Sequence, residues 1–357
     1  MRRTRHIWVY VGITVVLAVL VAAELLQGPG AADARVIRML RLPRVVTAVC
    51  AGAALALAGA QMQSVLRNPL ADPHIMGVSS GAALGAAVAT MWTAGGSKMA
   101  TVAAGGSKMA ATGTMWAGSG GAAGALQGAA QGALQGTLQS ALQGVSVAAA
   151  AFIGAALTAV IILAVSRKFR SASTLLIFGV MLGFIVNAIT AILQVSSDAE
   201  SLKIFYSWSA GSFSTSTWPQ IAVMAAMLVI GFIIAYRGRK GLDIILFGDE
   251  YARMAGAGVE GIRIRALLSG CILTAAVTAF CGPLGFVGIV APHTARALCG
   301  TSAHKSVLPA SLLTGCVISL AADLISQLSP TPLPTASTMA IVGIPIILYI
   351  LIRKPAI

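Results

Sequence analysis

Acidic residues are scarce in this chain: ten Asp and Glu stand against 24 Lys and Arg across 357 residues. Charged residues of both signs make up only 10% of the composition, where a soluble domain carries about a quarter. With 57% hydrophobic residues and a mean hydropathy of +0.89, much of the surface must face something other than water. Aromatic residues are also few, at 6%. The five cysteines (Cys50, Cys271, Cys281, Cys299 and Cys316) form no CxxC pair, so buried, unpaired thiols are expected. No GxxxxGK[ST] pattern and no HExxH pattern occurs, which excludes a Walker-type ATP site and a zincin-type metal site. The four His (His6, His74, His293 and His304) are scattered, with His293 directly after Pro292. No catalytic residue and no metal ligand set emerges.

The placement of the acids excludes more. Only Glu24 and Asp323 fall inside long apolar runs, and both lie near run ends. A charge at the centre of a membrane helix costs at least about 2.5 kcal/mol, so one persists there mainly for function. Proton-coupled carriers and intramembrane aspartyl proteases need such midplane carboxylates. Their absence points to a passive pathway whose energy comes from elsewhere.

What the chain has in abundance is apolar sequence in continuous runs of about 20 residues, long enough to cross a bilayer as helices. Barrel strands would instead alternate with period two. The runs cover approximately 7–27, 45–66, 75–92, 145–166, 174–196, 219–236, 266–283, 285–299, 307–328 and 335–352. The expected fold is therefore an all-α polytopic membrane protein of about ten transmembrane helices, forming a single transmembrane domain over 1–357. The run at 285–299 is short for a straight span. The 39 glycines suit helices packed closely together. The first run is read as an uncleaved helix rather than a signal peptide, and an even number of spans puts both termini on one side.

Charge distribution orients this arrangement. With a cytoplasmic N-terminus, basic residues concentrate inside, as Lys and Arg in short loops do. Arg35, Arg38, Arg41, Arg44, Lys98, Lys108 and Lys203 remain outside. This distribution accounts for the excess positive charge without invoking nucleic acid. Residues 93–144 differ in texture. Gly95-Gly96-Ser97-Lys98-Met99-Ala100 recurs at Gly105–Ala110, and Gln127, Gln131, Gln135, Gln139 and Gln143 recur every fourth residue. The segment reads as a low-complexity extracytoplasmic insertion. The charged segment at about 237–265 reads as a cytoplasmic loop. Within it Asp249 and Glu250 precede Tyr251-Ala252-Arg253-Met254, a pattern that favours a short helix with acids in its first turn.

Several segments carry a family resemblance: Arg41-Leu42-Pro43-Arg44; Arg67-Asn68-Pro69-Leu70-Ala71-Asp72-Pro73; Gly77-Val78-Ser79-Ser80-Gly81; Trp208-Ser209-Ala210-Gly211; Gly248-Asp249-Glu250-Tyr251-Ala252-Arg253; Gly285-Phe286-Val287-Gly288 running to Pro292-His293 and Arg296; and Gly343-Ile344-Pro345. In this order they resemble the permease subunits of iron-siderophore, haem and vitamin B12 ABC importers, the FecCD type. The resemblance spans nearly the whole chain except 93–144. It implies a ten-helix subunit in a bacterial or archaeal cytoplasmic membrane, paired with a second permease subunit as homodimer or paralogue. Two cytoplasmic ATPase subunits, which bind the ATP, and an extracytoplasmic substrate-binding protein complete the assembly. This chain itself binds no cofactor and is no enzyme.

The resemblance also implies residue roles. Gly248, Asp249, Glu250, Ala252 and Arg253 fall in the element that couples to the ATPase. Arg41 and Arg44 fall where the binding protein docks. Asn68, Leu70 and Ser173 fall at the cytoplasmic gate, with Pro69 and Pro73 making the backbone there irregular. Gly179, Gly183 and Asn187 are candidates for the pathway wall, and the two glycines equally fit a helix-packing motif. Departures occur at Gln327, where some relatives carry a basic residue, and at Thr335-Ala336 and Ile346-Ile347. An iron-siderophore is the expected cargo, with haem or cobalamin as the alternative. A stand-alone secondary transporter is the competing reading.

Overall fold

A computed structural model describes residues 2–27, 34–91, 145–168, 171–329 and 333–353. The expected insertion at 93–144 lies outside the described residues. Twelve α-helices of six residues or more occur among the described residues, and no strand. They are α1 (Arg2–Leu26), α2 (Leu42–Leu66), α3 (Val78–Met91), α4 (Val145–Ser166), α5 (Ala172–Val195) and α6 (Ala199–Ser209). Then come α7 (Trp218–Ile245), α8 (Asp249–Met254), α9 (Val259–Cys281), α10 (Val287–Cys299), α11 (His304–Ser326) and α12 (Thr335–Arg353). Seven helices are long and apolar enough to cross a membrane. Two shorter apolar helices, α3 and α12, accompany them. The fold is an all-α, multi-pass membrane bundle.

The apolar runs reappear as helices because no water competes for backbone hydrogen bonds inside a bilayer. Differences occur where the sequence turns polar. α7 does not stop near Tyr236. It continues through Arg237, Arg239 and Lys240 to Ile245. Past the hydrocarbon, charged residues no longer oppose a helix, and the Arg239 guanidinium lies 4.3 Å from the centre of the Tyr236 ring. α9 likewise begins at Val259, so most of the segment 237–265 is helix. The amphipathic α6 is an element that apolar length alone does not reveal.

α2 is the centre of the bundle. Nearly its whole length is buried, and it packs against α7, α9, α10 and α11. It is rich in Ala and Gly, which lets neighbours come close. A side chain at Gly59 would collide with the Gly288 backbone of α10, and one at Gly52 with the Gly315 carbonyl of α11. Between membrane helices such small-residue contacts replace the hydrophobic drive that lipid cannot supply. A second packing layer joins α3, α4 and α5. There Gly81 of α3 faces Gly154 of α4, and Leu175 of α5 belongs to the same buried cluster as Ala82 and Ala155.

Candidate functional site: the helix ends around Asp249

At one end of the bundle α7 finishes at Ile245, and the chain turns through Leu246, Phe247 and Gly248 into α8. Gly248 has φ 112° and ψ 155°, a backbone state open to glycine and strained for other residues. Gly256, at φ 74°, turns the chain again after α8. These two glycines fold the connector back on itself. Asp249 and Glu250 occupy the first turn of α8 and Arg253 the last, the order that the helix dipole favours.

The faces of α8 divide the predicted coupling residues. Ala252 is fully buried in a cluster with Ile245 and Val259. Asp249 also points inward. It accepts a 2.9 Å hydrogen bond from Arg263 of α9 and lies 3.7 Å from Arg67 at the end of α2. Arg263 is only 2% exposed, so its pairing with Asp249 ties α8 rigidly to α9. Glu250 and Arg253 point out. With them stand Phe247 at 75% exposure, Met254 at 81%, and Tyr251, whose ring is 5.4 Å from that of Phe247. An exposed apolar knob flanked by opposite charges has the composition of a protein-docking surface.

The neighbouring end of α2 is irregular, as its prolines require. Arg67 has φ 48°, the Asn68 side chain accepts from the Leu70 amide at 2.9 Å, and a short 3-10 turn runs over Pro73–Met76. Leu70 is exposed, and so is Ser173 at the start of α5. An open groove beside α8 is lined by Arg67 and Ser171, the residues flanking these predicted gate positions. The structure therefore brings α2, the start of α5 and α8 to one place. His293 of α10 meets the Pro69 carbonyl at 2.8 Å and holds this turn.

Further polar links close the same end, and sequence gave no pairing for them. The His304 ring joins Asp243 of α7 and Ser64 of α2, each at 2.6 Å, and the His304 amide caps onto Asp243 at 2.8 Å. These are the residue types of a hydrolase triad. Ser64 is 1% exposed and His304 2%, however, so no substrate carbonyl reaches the hydroxyl, and the trio braces three helix ends. Arg296 of α10 donates to Gln63, whose amide reaches back to the Gly288 carbonyl at 3.2 Å. A Gln inside an apolar run was the available sign; its partner, 233 positions away, was not.

The predicted pathway residues separate. Gly179 and Gly183 are buried against the turn at Met76 and Gly77: a methyl group on Gly179 would stand 3.1 Å from the Met76 Cα. Asn187 is exposed on α5, away from these contacts.

At the opposite end of the bundle Arg44, expected with Arg41 where the binding protein docks, is part-exposed. It makes two 2.7 Å bonds to Asp323, which is fully buried on α11. Gln327 reaches the same carboxylate at 3.3 Å, and the buried Glu24 of α1 faces it. Arg41 donates to the Leu25 carbonyl at 2.7 Å and is part-exposed, while Arg38 is exposed. A cavity lined by Arg41, Arg44, Trp218 and Gln327 opens there. Among the described residues no group of three or more His, Cys, Asp or Glu is placed to hold a metal ion.

Comparison with known proteins adds a family to this geometry. The model of the FecCD transport family matches residues 7–124 and 108–353. The chain is 30% identical to the cobalamin import system permease protein BtuC of Halobacterium salinarum, covering 94% of this chain and 78% of that one. It is 30% identical to the Fe(3+)-citrate import system permease protein YfmE of Bacillus subtilis, over 88% and 81%. It is 29% identical to the hemin transport system permease protein HmuU of Yersinia pestis, over 88% and 82%. A solved chain described as an inward-facing, metal-chelate type ABC transporter superposes with a TM-score of 0.76 at 25% identity, over 96% and 98%.

Proposed function

Because the chain belongs to the FecCD transport family, we propose that it is the membrane-spanning subunit of an ABC importer that carries a metal chelate into the cytoplasm. The observation that carries this reading is α8. It is a short helix locked inward through Asp249 and Arg263, and it presents Phe247, Glu250, Tyr251, Arg253 and Met254 outward. A soluble ATPase that grips this knob would move α7 and α9 together, since α8 is braced to both. In this reading ATP binds the partner subunits, and a second permease subunit completes the pathway.

The end bearing α8 is assigned to the cytoplasm. Arg67, Arg237, Arg239, Lys240, Arg253, Arg263, Arg265 and Lys305 all sit on helix ends or connectors there, as Lys and Arg do on the inner side. Both termini then lie inside. The part-exposed Arg41, with Arg38, would meet the binding protein on the other face, while Arg44 would hold α2 in place behind them. Such exposed charges steer docking more than they tighten it. The cargo is read as an iron-siderophore, with haem or cobalamin as the alternative. Relatives named for citrate iron, haem and cobalamin share similar identity with this chain.

The test is reconstitution. Proteoliposomes holding this chain with its ATPase and binding protein should take up an iron chelate only with internal ATP. Uptake by this chain alone, driven by an ion gradient, would overturn the importer reading. Titrating the binding protein with siderophores, haem and cobalamin identifies the cargo.

A further inference from the structure

A groove runs along the side of the bundle between α1 and the layer formed by α10, α11 and α12. Trp8, Gly12 and Val16 of α1 form one wall, and Leu298, Val317 and Ile346 form the other. The lining is almost wholly apolar, and the groove, open along one side, has a volume of about 440 Å³. Its floor is open at Gly12, where an added methyl group would meet no atom within 4 Å. Beside the groove α1 is anchored. The Tyr10 hydroxyl donates to the Ser306 carbonyl at 2.9 Å, and Val9 and Tyr10 pack on Ala295 and Cys299. The groove therefore persists between fixed walls. Inside a bilayer an empty apolar concavity forfeits dispersion contacts along its whole lining. A chain of methylene groups restores them.

Charge selects the kind of chain. Three of the helices that wall the groove carry basic residues at the end nearest Trp8: α1 begins with Arg2, Arg3 and Arg5, α11 has Lys305 in its first turn, and α12 ends at Arg353. Arg296 of α10 is turned to Gln63, and His304 is enclosed. The acids on these helices, Glu24 and Asp323, lie at the opposite end. Asp243 of α7, the carboxylate beside the start of α11, is engaged by His304. We propose that this groove binds one acyl chain of an anionic phospholipid, with the phosphate held by the basic ends of the same helices. Basic sites between membrane helices attract anionic head groups in this way.

Native mass spectrometry of the delipidated full-length chain tests the site, with dioleoylphosphatidylglycerol and dioleoylphosphatidylcholine as probes. One phosphatidylglycerol should be retained at least about tenfold more tightly than phosphatidylcholine, from the attraction of several basic residues to one anion. Gly12→Leu fills the floor from α1 and Ile346→Trp fills the groove from α12. Each should weaken that first binding event severalfold, while Val15→Leu, outside the groove, leaves it unchanged. Replacing Arg2, Arg3 and Arg5 with Gln should erase the preference between the two lipids. Equal retention of both lipids by the unaltered chain overturns the proposal. So does unchanged retention in both filled variants. Efficient disulfide formation between two copies carrying Val16→Cys would also overturn it, because a second copy would then cover the groove.

Discussion

Arg44 and Asp323 face each other in a two-point ion pair, both contacts at 2.7 Å, with the carboxylate fully buried and the guanidinium one-fifth exposed. The pair joins the start of α2 to the end of α11, the two helices that also meet at Gly52 and Gly315. Removing one partner strands the other charge in a poorly solvated place. Asp323→Ala should therefore cost about 3 kcal/mol of stability, the lower end of the range for a broken buried pair because Arg44 is partly wet. Arg44→Met with Asp323→Leu should cost less than the two single changes summed. Thermal unfolding in detergent reads all four variants; strictly additive losses would mean that the two side chains act independently.

Docking of the binding protein is best probed away from this pair, because reversing Arg44 would disturb folding as well as the surface. Arg38→Glu with Arg41→Glu should slow association of the binding protein while leaving the unfolding temperature close to normal. The slowing should be larger at low salt, where the Debye length is longer. Stopped-flow mixing at two ionic strengths measures it, and an on-rate indifferent to both substitutions would remove these arginines from the docking face.

Glu250 and Arg253 lie on the outer side of α8, and neither touches the inward brace at Asp249. Glu250→Lys or Arg253→Glu should leave the protein inserted and folded but break the link between ATP hydrolysis and uptake. Asp249→Ala, in contrast, should loosen α8 itself and lower the unfolding temperature. Parallel ATPase and uptake assays in proteoliposomes separate the two classes. Full uptake by both charge-reversed variants would dismiss α8 as the handle.

The elements that sequence made legible are those a bilayer enforces. Continuous apolar runs must become helices there, and the observed bounds of α2, α4, α5 and α12 follow the runs closely. The end of α7 was hidden because its last turns, from Arg237 to Ile245, leave the apolar zone while remaining helical. Asp249, Glu250, Ala252 and Arg253 were legible as a short helix, yet their division into inward and outward faces needed the brace to Arg263. The pairing of Arg44 with Asp323 was not legible because the two lie 279 positions apart, with no local pattern joining them. Periodicity reports a residue's own helix, and long-range polar pairing leaves no mark on it.

The Ser64–His304–Asp243 link is one such pairing, and it carries its own expectation. Here the imidazole has a partner on each nitrogen and is almost wholly enclosed. His304→Ala leaves Ser64 and Asp243 each without its ring contact, at a cost of about 1–3 kcal/mol for groups left unsatisfied. Ser64→Ala removes one arm and should cost less. An unfolding midpoint for His304→Ala equal to that of the unaltered chain would mean that the ring is no brace.

Gly179 and Asn187 test whether α5 separates packing from transport. Gly179 sits against the Met76 backbone, and a methyl group there would press to 3.1 Å of a main-chain atom. Overpacking of this kind costs about 1–3 kcal/mol. Gly179→Val should therefore lower the unfolding temperature and reduce uptake only in proportion to the folded protein that remains. Asn187 is exposed on the same helix, clear of the turn at Met76 and Gly77. Asn187→Leu should leave stability intact, and if this polar group lines the pathway, uptake per folded molecule should fall. Measured together, the two variants decide the matter: stability should fall with Gly179→Val, specific uptake with Asn187→Leu. Unchanged uptake in Asn187→Leu would move the pathway to another face of α5.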